Sequence, residues 1–396
     1  MLIWVLAFMS ALAPLATDMY LPALKEVQRS FNTTESLTQL SIAAFFIAFS
    51  FGQLVYGPLS DAFGRKKPLY IGTLLYVFAS IACVSVNSIY AFIFFRFVQA
   101  LGGCSGVVIA RAVINDKFDV KEGAAVLAIM MMVGALAPML APTLGGVVLE
   151  YLTWKFIFWL LFVFGLILFC MIIIFLPETS KEEYRIKFNL PSIIDNYISI
   201  IKDRRFVIYV LSFSCTLACI FVYITGSSFV FREHFGLSAQ MFGLVFGLNA
   251  MGGTISSIIN AKLVRTYSPY HILQIAFFCM MIFAVLLIIS GVFALPFLLF
   301  EIFLFLTMAM IGFIAPNITV LAMSRFKKKS GSASAILGTT QFAVAGFASF
   351  MVSILGANHP APLSILIGIC PVSGYCIYLL INKRNIKKLK KKLGFI

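Results

Sequence analysis

The chain has 396 residues, of which 61% are hydrophobic, 15% aromatic and only 11% charged. Soluble domains average roughly 45–50% apolar and 25% charged residues, so this composition excludes an ordinary water-soluble globule and points to a bilayer as solvent. In a soluble protein the formal charge of +15 would suggest a nucleic-acid partner; in a membrane protein it is first a signal of topology.

A helix needs about 20 apolar residues to cross the hydrocarbon core. Taken in chain order, windows of that kind lie near 1–21, 37–57, 69–87, 89–111, 123–149 and 155–177. A polar linker, 178–205, separates them from a second set near 206–230, 241–261, 271–290, 297–323, 333–356 and 362–382, and a basic tail, 383–396, closes the chain. Each span of the second set starts roughly 200 residues after its counterpart in the first, the mark of an internal repeat. The expected architecture is therefore an all-α polytopic membrane protein with 12 transmembrane helices. These form an N-terminal half (1–177) and a C-terminal half (206–382) of six helices each. The stretch ALAPLA near the start could pass for a signal-peptide cleavage region, but the basic leader is missing. A retained first helix is the expectation.

Of the 30 Lys and Arg residues, all but Lys25, Arg29, Lys155, Arg232 and the intramembrane Arg96 fall on the side of the tail. The positive-inside bias assigns that side, and both termini, to the cytoplasm.

Several chemistries are excluded. His234, His271 and His359 all sit at span ends or loops, so neither a histidine proton relay nor a histidine metal or nucleophile site is available at membrane depth. The eight cysteines fall in apolar stretches without a CxxC pair, which argues against zinc and disulfides and for small helix-packing residues. No phosphate-binding GxxxxGK[ST] loop is present, so any work done must draw on an ion gradient. An integral-membrane enzyme would need a polar acid/base cluster, and none is evident. No metal and no cofactor beyond a coupling proton is expected.

Charge in hydrocarbon costs at least ~2.5 kcal/mol per residue, which makes intramembrane ionisable residues functional candidates. Asp18 lies about 25 Å along the first span, just before Pro22 ends it. Arg96 lies about 10 Å below the outer surface in the fourth, so the two can share a depth. Burial favours a neutral carboxyl and a nearby guanidinium favours an ionised one; a proton-coupled carrier needs that competition. Glu301, a few residues into the tenth span after Pro296, is open to two readings: function, or snorkelling to the interface. Polar residues inside apolar spans, Tyr223, Asn249, Asn317 and Gln341, are candidates for a cavity wall, as is Gln99, one helical turn from Arg96.

Between spans 2 and 3 stands GPLSDAFGRKKPL, residues 57–69. Gly57 and Gly64 allow close packing and positive φ, and Asp61 and Arg65 can meet a helix dipole and a carboxylate. This string resembles the signature loop of the major facilitator superfamily, through Gly57, Leu59, Asp61, Gly64, Arg65 and Lys66, with Ala62 where a basic residue is usual. TDMYLPAL (17–24), RFVQALGG (96–103), ARAVINDKF (110–118), GALAPMLAPTLGG (134–146), GSSFVFREHFGLS (226–238), IAPN (314–317) and GSASAILGTTQF (331–342) resemble the Bcr/CflA branch of drug:proton antiporters. In the span-5 stretch, Gly134, Pro138, Pro142, Gly145 and Gly146 remove bulk and backbone hydrogen bonds, which lets helices approach and bend.

The resemblance implies a proton-driven exporter of small drug-like compounds in the bacterial inner membrane, working by alternating access as a monomer. Asp18 would be the protonation site with Arg96 tuning it. Asp61, Arg65 and Arg111 would serve the cytoplasmic gate, which latches when the carrier faces outward with Asp61 toward the start of span 11 near Gly331–Ala333. The alternative on the same fold is a proton-coupled transporter of a metabolite such as an amino acid or sugar.

Overall fold

The computed structural model describes residues 2–118, 120–180, 190–326, 330–356 and 359–392; the side chains of 190, 192, 193, 330, 331 and 381–392 and of scattered positions between 115 and 139 lie outside that description. The described residues are built from helices, with no strand among them. In chain order these are α1 (Leu2–Asp18), α2 (Leu24–Ser30), α3 (Glu35–Phe63), α4 (Lys66–Ser85), α5 (Ile89–Lys117), α6 (Val120–Tyr151) and α7 (Lys155–Phe175). After the linker come α8 (Leu190–Ile201), α9 (Arg204–Phe229), α10 (Ala239–Leu263), α11 (Pro269–Val292), α12 (Phe297–Ala309), α13 (Ile311–Met323), α14 (Ser330–Leu355) and α15 (Pro360–Lys392).

Eleven helical stretches among the described residues are long and apolar enough to cross a membrane. α6 has 32 residues, about 48 Å at 1.5 Å per residue, longer than the hydrocarbon core of about 30 Å. Side chains toward lipid are apolar rather than charged: Phe51, Ile71, Phe78 and Phe94 are all more than half exposed. Hydroxyls within spans bond to their own helix, Thr73 to the Leu69 carbonyl and Ser80 to that of Tyr76, so no polar group is left facing hydrocarbon at these positions.

Caps set several boundaries. The Thr34, Asp203, Ser238 and Ser268 side chains accept from the backbone N–H groups of Leu37, Phe206, Met241 and His271 at the starts of α3, α9, α10 and α11. Gly64 ends α3 with φ +84°, a conformation that only glycine adopts freely.

Three spans differ from their expected limits. The first does not stop at Pro22: a short 3-10 turn, Leu21–Ala23, takes the proline at its start, where no N–H is needed, and α2 continues to Ser30. The seventh runs past residue 230 into a π-helical turn, Val230–His234, with the Phe235 N–H reaching the Val230 carbonyl five residues back. The tenth breaks at Met310 into α12 and α13.

α3 packs along α14, and α6 along α10, the two most extensive contacts between the sets of spans. Small residues permit both contacts. A Cβ on Gly346 would fall 2.6 Å from Ile47, one on Gly146 would fall 2.8 Å from the Ala239 carbonyl, and one on Gly243 2.8 Å from the Pro142 carbonyl. Of the cysteines, Cys104 packs on Gly52, whereas Cys170 and Cys376 are exposed and so do not serve the helix packing expected of them.

Candidate functional site

Asp18 closes α1 at the break before the 3-10 turn and is 3% exposed. Its Oδ1 accepts from the neighbouring Thr17 hydroxyl at 2.9 Å. Among the described residues, no lysine or arginine makes a salt bridge to it.

Arg96, fully buried on α5, does not reach Asp18 as expected. Its Nη1 donates to the Ala16 carbonyl at 3.0 Å and to Gln99 Oε1 at 2.6 Å. The guanidinium carbon lies over the rings of Phe45 (4.6 Å), Tyr20 (4.9 Å) and Phe158 (5.7 Å). Quadrupole attraction from three aromatic faces replaces a carboxylate partner, although Nε and Nη2 remain unpaired. Gln99, a cavity-wall candidate, is likewise engaged inside the bundle. It is fully buried, and its amide nitrogen donates to Ser80 at 2.7 Å, tying α5 to α4.

The remaining cavity-wall candidates divide three ways. Asn317 donates to Asn260 Oδ1 at 2.7 Å and so joins α13 to α10. Gln341 is half-buried on α14. Tyr223 and Asn249 come together with Glu301: the Asn249 amide nitrogen lies 3.1 Å from the Tyr223 hydroxyl and 2.7 Å from Glu301 Oε1. Glu301 therefore turns inward, 7% exposed, rather than snorkelling.

At the end of the bundle that holds Gly64 and Arg65, hereafter the basic end, a charged cluster forms within the first set of helices. The Arg65 guanidinium clasps Asp116 on α5 through Nε (2.8 Å) and Nη2 (3.2 Å), and Nη1 reaches Asp61 and Ser60. Burial opposes the charge of Arg65, but the hydrogen bonds to Asp116 and Asp61 outweigh it and raise its pKa further. The Glu178 carboxylate accepts from the backbone N–H groups of Arg65 (2.9 Å) and Lys66 (3.1 Å) at the start of α4, the end where a helix favours negative charge. Asp61 here pairs with Arg65 four residues on; the side chains at the start of α14, Gly331 among them, lie outside the described ones. Arg111 is exposed on α5 and outside this cluster. Gly57, expected to serve close packing, has nothing within 4 Å of where a Cβ would stand.

On α6, Gly145 and Gly146 do sit at contacts. A Cβ on Gly145 would fall 2.2 Å from the Met19 carbonyl, next to Asp18. Gly134 faces open space, contrary to a packing role, and the side chain of Pro138 lies outside the described ones.

The opposite end carries a feature that loop charges alone did not reveal. Lys25 on α2 pairs with Glu233 of the π-helical turn at 3.1 Å, while Glu26 takes both Arg232 nitrogens at 2.9 and 3.0 Å. Arg232 also donates to the Pro22 carbonyl. Neighbouring residues of opposite charge in each set cross-pair, one couple against the other. The sequence signal was present in the adjacent KE and RE pairs near the ends of spans 1 and 7, roughly one repeat apart. Among the described residues, ion pairs between the two sets of helices stand at this end only.

A family model, the Major Facilitator Superfamily, matches residues 6–349. The chain is 31% identical to an uncharacterized MFS-type transporter, YdgK, of Bacillus subtilis over 97% of this chain and 96% of that one. It is 27% identical to a bicyclomycin resistance protein homolog of Haemophilus influenzae, covering 96% of each. Among solved structures, a partially occluded inward-open xylose transporter from E. coli superposes with a TM-score of 0.75 at 12% identity, covering 96% of each chain.

Proposed function

On the premise that the chain belongs to the Major Facilitator Superfamily, we propose that it is a proton-driven exporter of small amphipathic, drug-like compounds. The side of export follows from charge: the basic end faces the cytoplasm of a bacterial cell, in its inner membrane, and the Lys25–Glu233 end faces out. The relative named for bicyclomycin resistance, aligned over 96% of both chains, supports the substrate class.

One observation carries the proton coupling: a carboxyl, Asp18, is buried at a break in the first span, with no salt bridge to it among the described residues. A proton binds such a group when water reaches it and leaves when the surroundings change. Alternating access supplies that change. The outer pairs Lys25–Glu233 and Glu26–Arg232 hold the two sets of helices together when the carrier opens to the cytoplasm. Partly exposed pairs contribute roughly 0.2–1 kcal/mol each, weak enough to part in every cycle. Arg65, Asp61 and Asp116 brace the cytoplasmic loop between spans 2 and 3 as the first half tilts against the second. Each proton moving inward supplies about 2.3 kcal/mol per 100 mV.

The test uses the full chain in proteoliposomes with a drug-like fluorescent cation. Asp18→Asn should abolish accumulation driven by a pH gradient while the protein elutes as the same species as the parent. Unchanged pH-driven accumulation would sink the assignment, and flux only in the import direction would sink export.

A further inference from the structure

A second carboxyl lies buried among the other helices. Glu301 stands early in α12, and its Oε1 accepts from Asn249 Nδ2 at 2.7 Å. The same nitrogen lies 3.1 Å from the Tyr223 hydroxyl and 3.3 Å from the Val245 carbonyl. Asn249 and Tyr223 are each 3% exposed. Two atoms of the cluster, Glu301 Oε2 and Asn249 Oδ1, are buried without a hydrogen-bond partner. Phe246 stacks on Tyr223 at 4.9 Å and Phe231 stands 6.1 Å from it, so the surroundings are aromatic.

The charged groups around it are otherwise engaged. The π-helical turn packs on α12 through Phe231, which lies 5.4 Å from Phe297 and 6.2 Å from Phe300. That turn carries Arg232 and Glu233, bound to Glu26 and Lys25, and His234, whose ring meets that of His359 at 5.6 Å. α10 has one charged residue, Lys262, at its far end; α11 has Tyr270, His271 and Cys279 in its first half; α13 has no ionisable residue. Among the described residues no cation makes a salt bridge to Glu301.

We propose that Glu301, Asn249 and Tyr223 form a proton-binding site in the second set of helices, separate from Asp18, in which the Asn249 amide is the positioning group. An amide has a donor end and an acceptor end of nearly the same shape. With Glu301 ionised, the Asn249 NH₂ donates to the carboxylate, as the present geometry has it. When a proton binds Glu301 at Oε1, that oxygen becomes a donor and the contact with the NH₂ no longer works. A half-turn of the amide then brings Oδ1 to face the Glu301 and Tyr223 O–H groups, filling both of its lone pairs. A proton is gained or lost at one carboxyl oxygen, and no other bond is made or broken.

This site deepens the proton-coupled reading and rests on it, so its test needs a readout apart from transport. Infrared difference spectra of the purified full chain in lipid, recorded between acid and alkaline buffer, report protonated carboxyl groups directly. In an Asp18→Asn background, a titrating buried-carboxyl band is expected. Glu301→Gln added to that background should remove it, and Asn249→Leu should move its midpoint by about one pH unit. A band that survives Glu301→Gln, or no titrating band at all, overturns the proposal. If the Glu301→Gln protein does not fold, the Asn249→Leu arm decides alone, and an unmoved titration overturns it. A titrating Glu301 band in a protein without pH-driven transport would refute the exporter reading and leave this site standing; pH-driven transport with no such band would do the reverse.

Discussion

Arg96 donates to the carbonyl of Ala16, two residues before Asp18, and leaves the Asp18 carboxyl to Thr17. The arginine of α5 thus meets α1 beside the aspartate without forming an ion pair with it, and the two should respond differently to substitution.

Arg96→Lys keeps the charge but not the reach to both Ala16 and Gln99, nor the flat face that lies over three rings. Losing hydrogen bonds to a buried charged group costs roughly 1.5–3 kcal/mol. The expected result is a clear fall in the thermal unfolding midpoint in detergent, monitored by tryptophan fluorescence. Asp18→Asn should lose pH-driven transport with little change in that midpoint. Equal destabilisation by both would contradict the separation.

Gly145 and Gly134, both part of the same glycine and proline stretch, should differ as sharply. An alanine Cβ at 145 meets the Met19 carbonyl, and such overpacking costs about 1–3 kcal/mol; one at 134 meets nothing. Gly145→Ala should therefore lower stability and transport, whereas Gly134→Ala should be neutral or raise stability by up to ~1 kcal/mol through helix propensity. Paired melting and transport assays on the two variants decide it.

The outer pairs lend themselves to a charge exchange. Glu26→Arg alone sets two positive groups against each other and should impair transport. Adding Arg232→Glu should restore a large part of it, because the attraction is reinstated with its direction reversed. No recovery in the double variant would show that Glu26 and Arg232 do not act as a pair.

Asp203 offers a pH test outside the membrane. Partial burial works against its charge, but hydrogen bonds from Arg325 and from the Phe206 N–H outweigh that and hold its pKa below the ordinary carboxylate value. Its contribution to stability is full above the unfolded carboxylate range, about 4, and fades as pH falls through the lowered folded value. Asp203→Asn should flatten the acid limb of stability against pH and leave the alkaline limb alone, as read from unfolding midpoints over a pH series.

Much of the architecture was legible in the sequence because its causes are local. A run of apolar residues long enough to span hydrocarbon must be a helix, since the backbone has no other partner there. Gly64 could be read as a helix end with positive φ because few other residues tolerate it. The placement of Asp18 in the first span followed from counting residues. The breaks at Asp18, Val230 and Met310 were not legible, because a single proline or glycine inside a long apolar run is compatible with a kink, a tighter turn or a continuous helix.

The sequence by itself determined that this is a multi-spanning helical transporter of the major facilitator kind, with ionisable residues inside its spans. Hydrophobic length and the cost of buried charge act along one dimension, so they can be read in order. Only the tertiary structure decided where those side chains point. It turned Arg96 toward Ala16 and Gln99, crossed Lys25 and Glu26 with Glu233 and Arg232, and drew Glu301 inward to Asn249 and Tyr223. The rotation of each helix about its own axis sets these pairings, and packing between residues far apart in the chain sets that rotation.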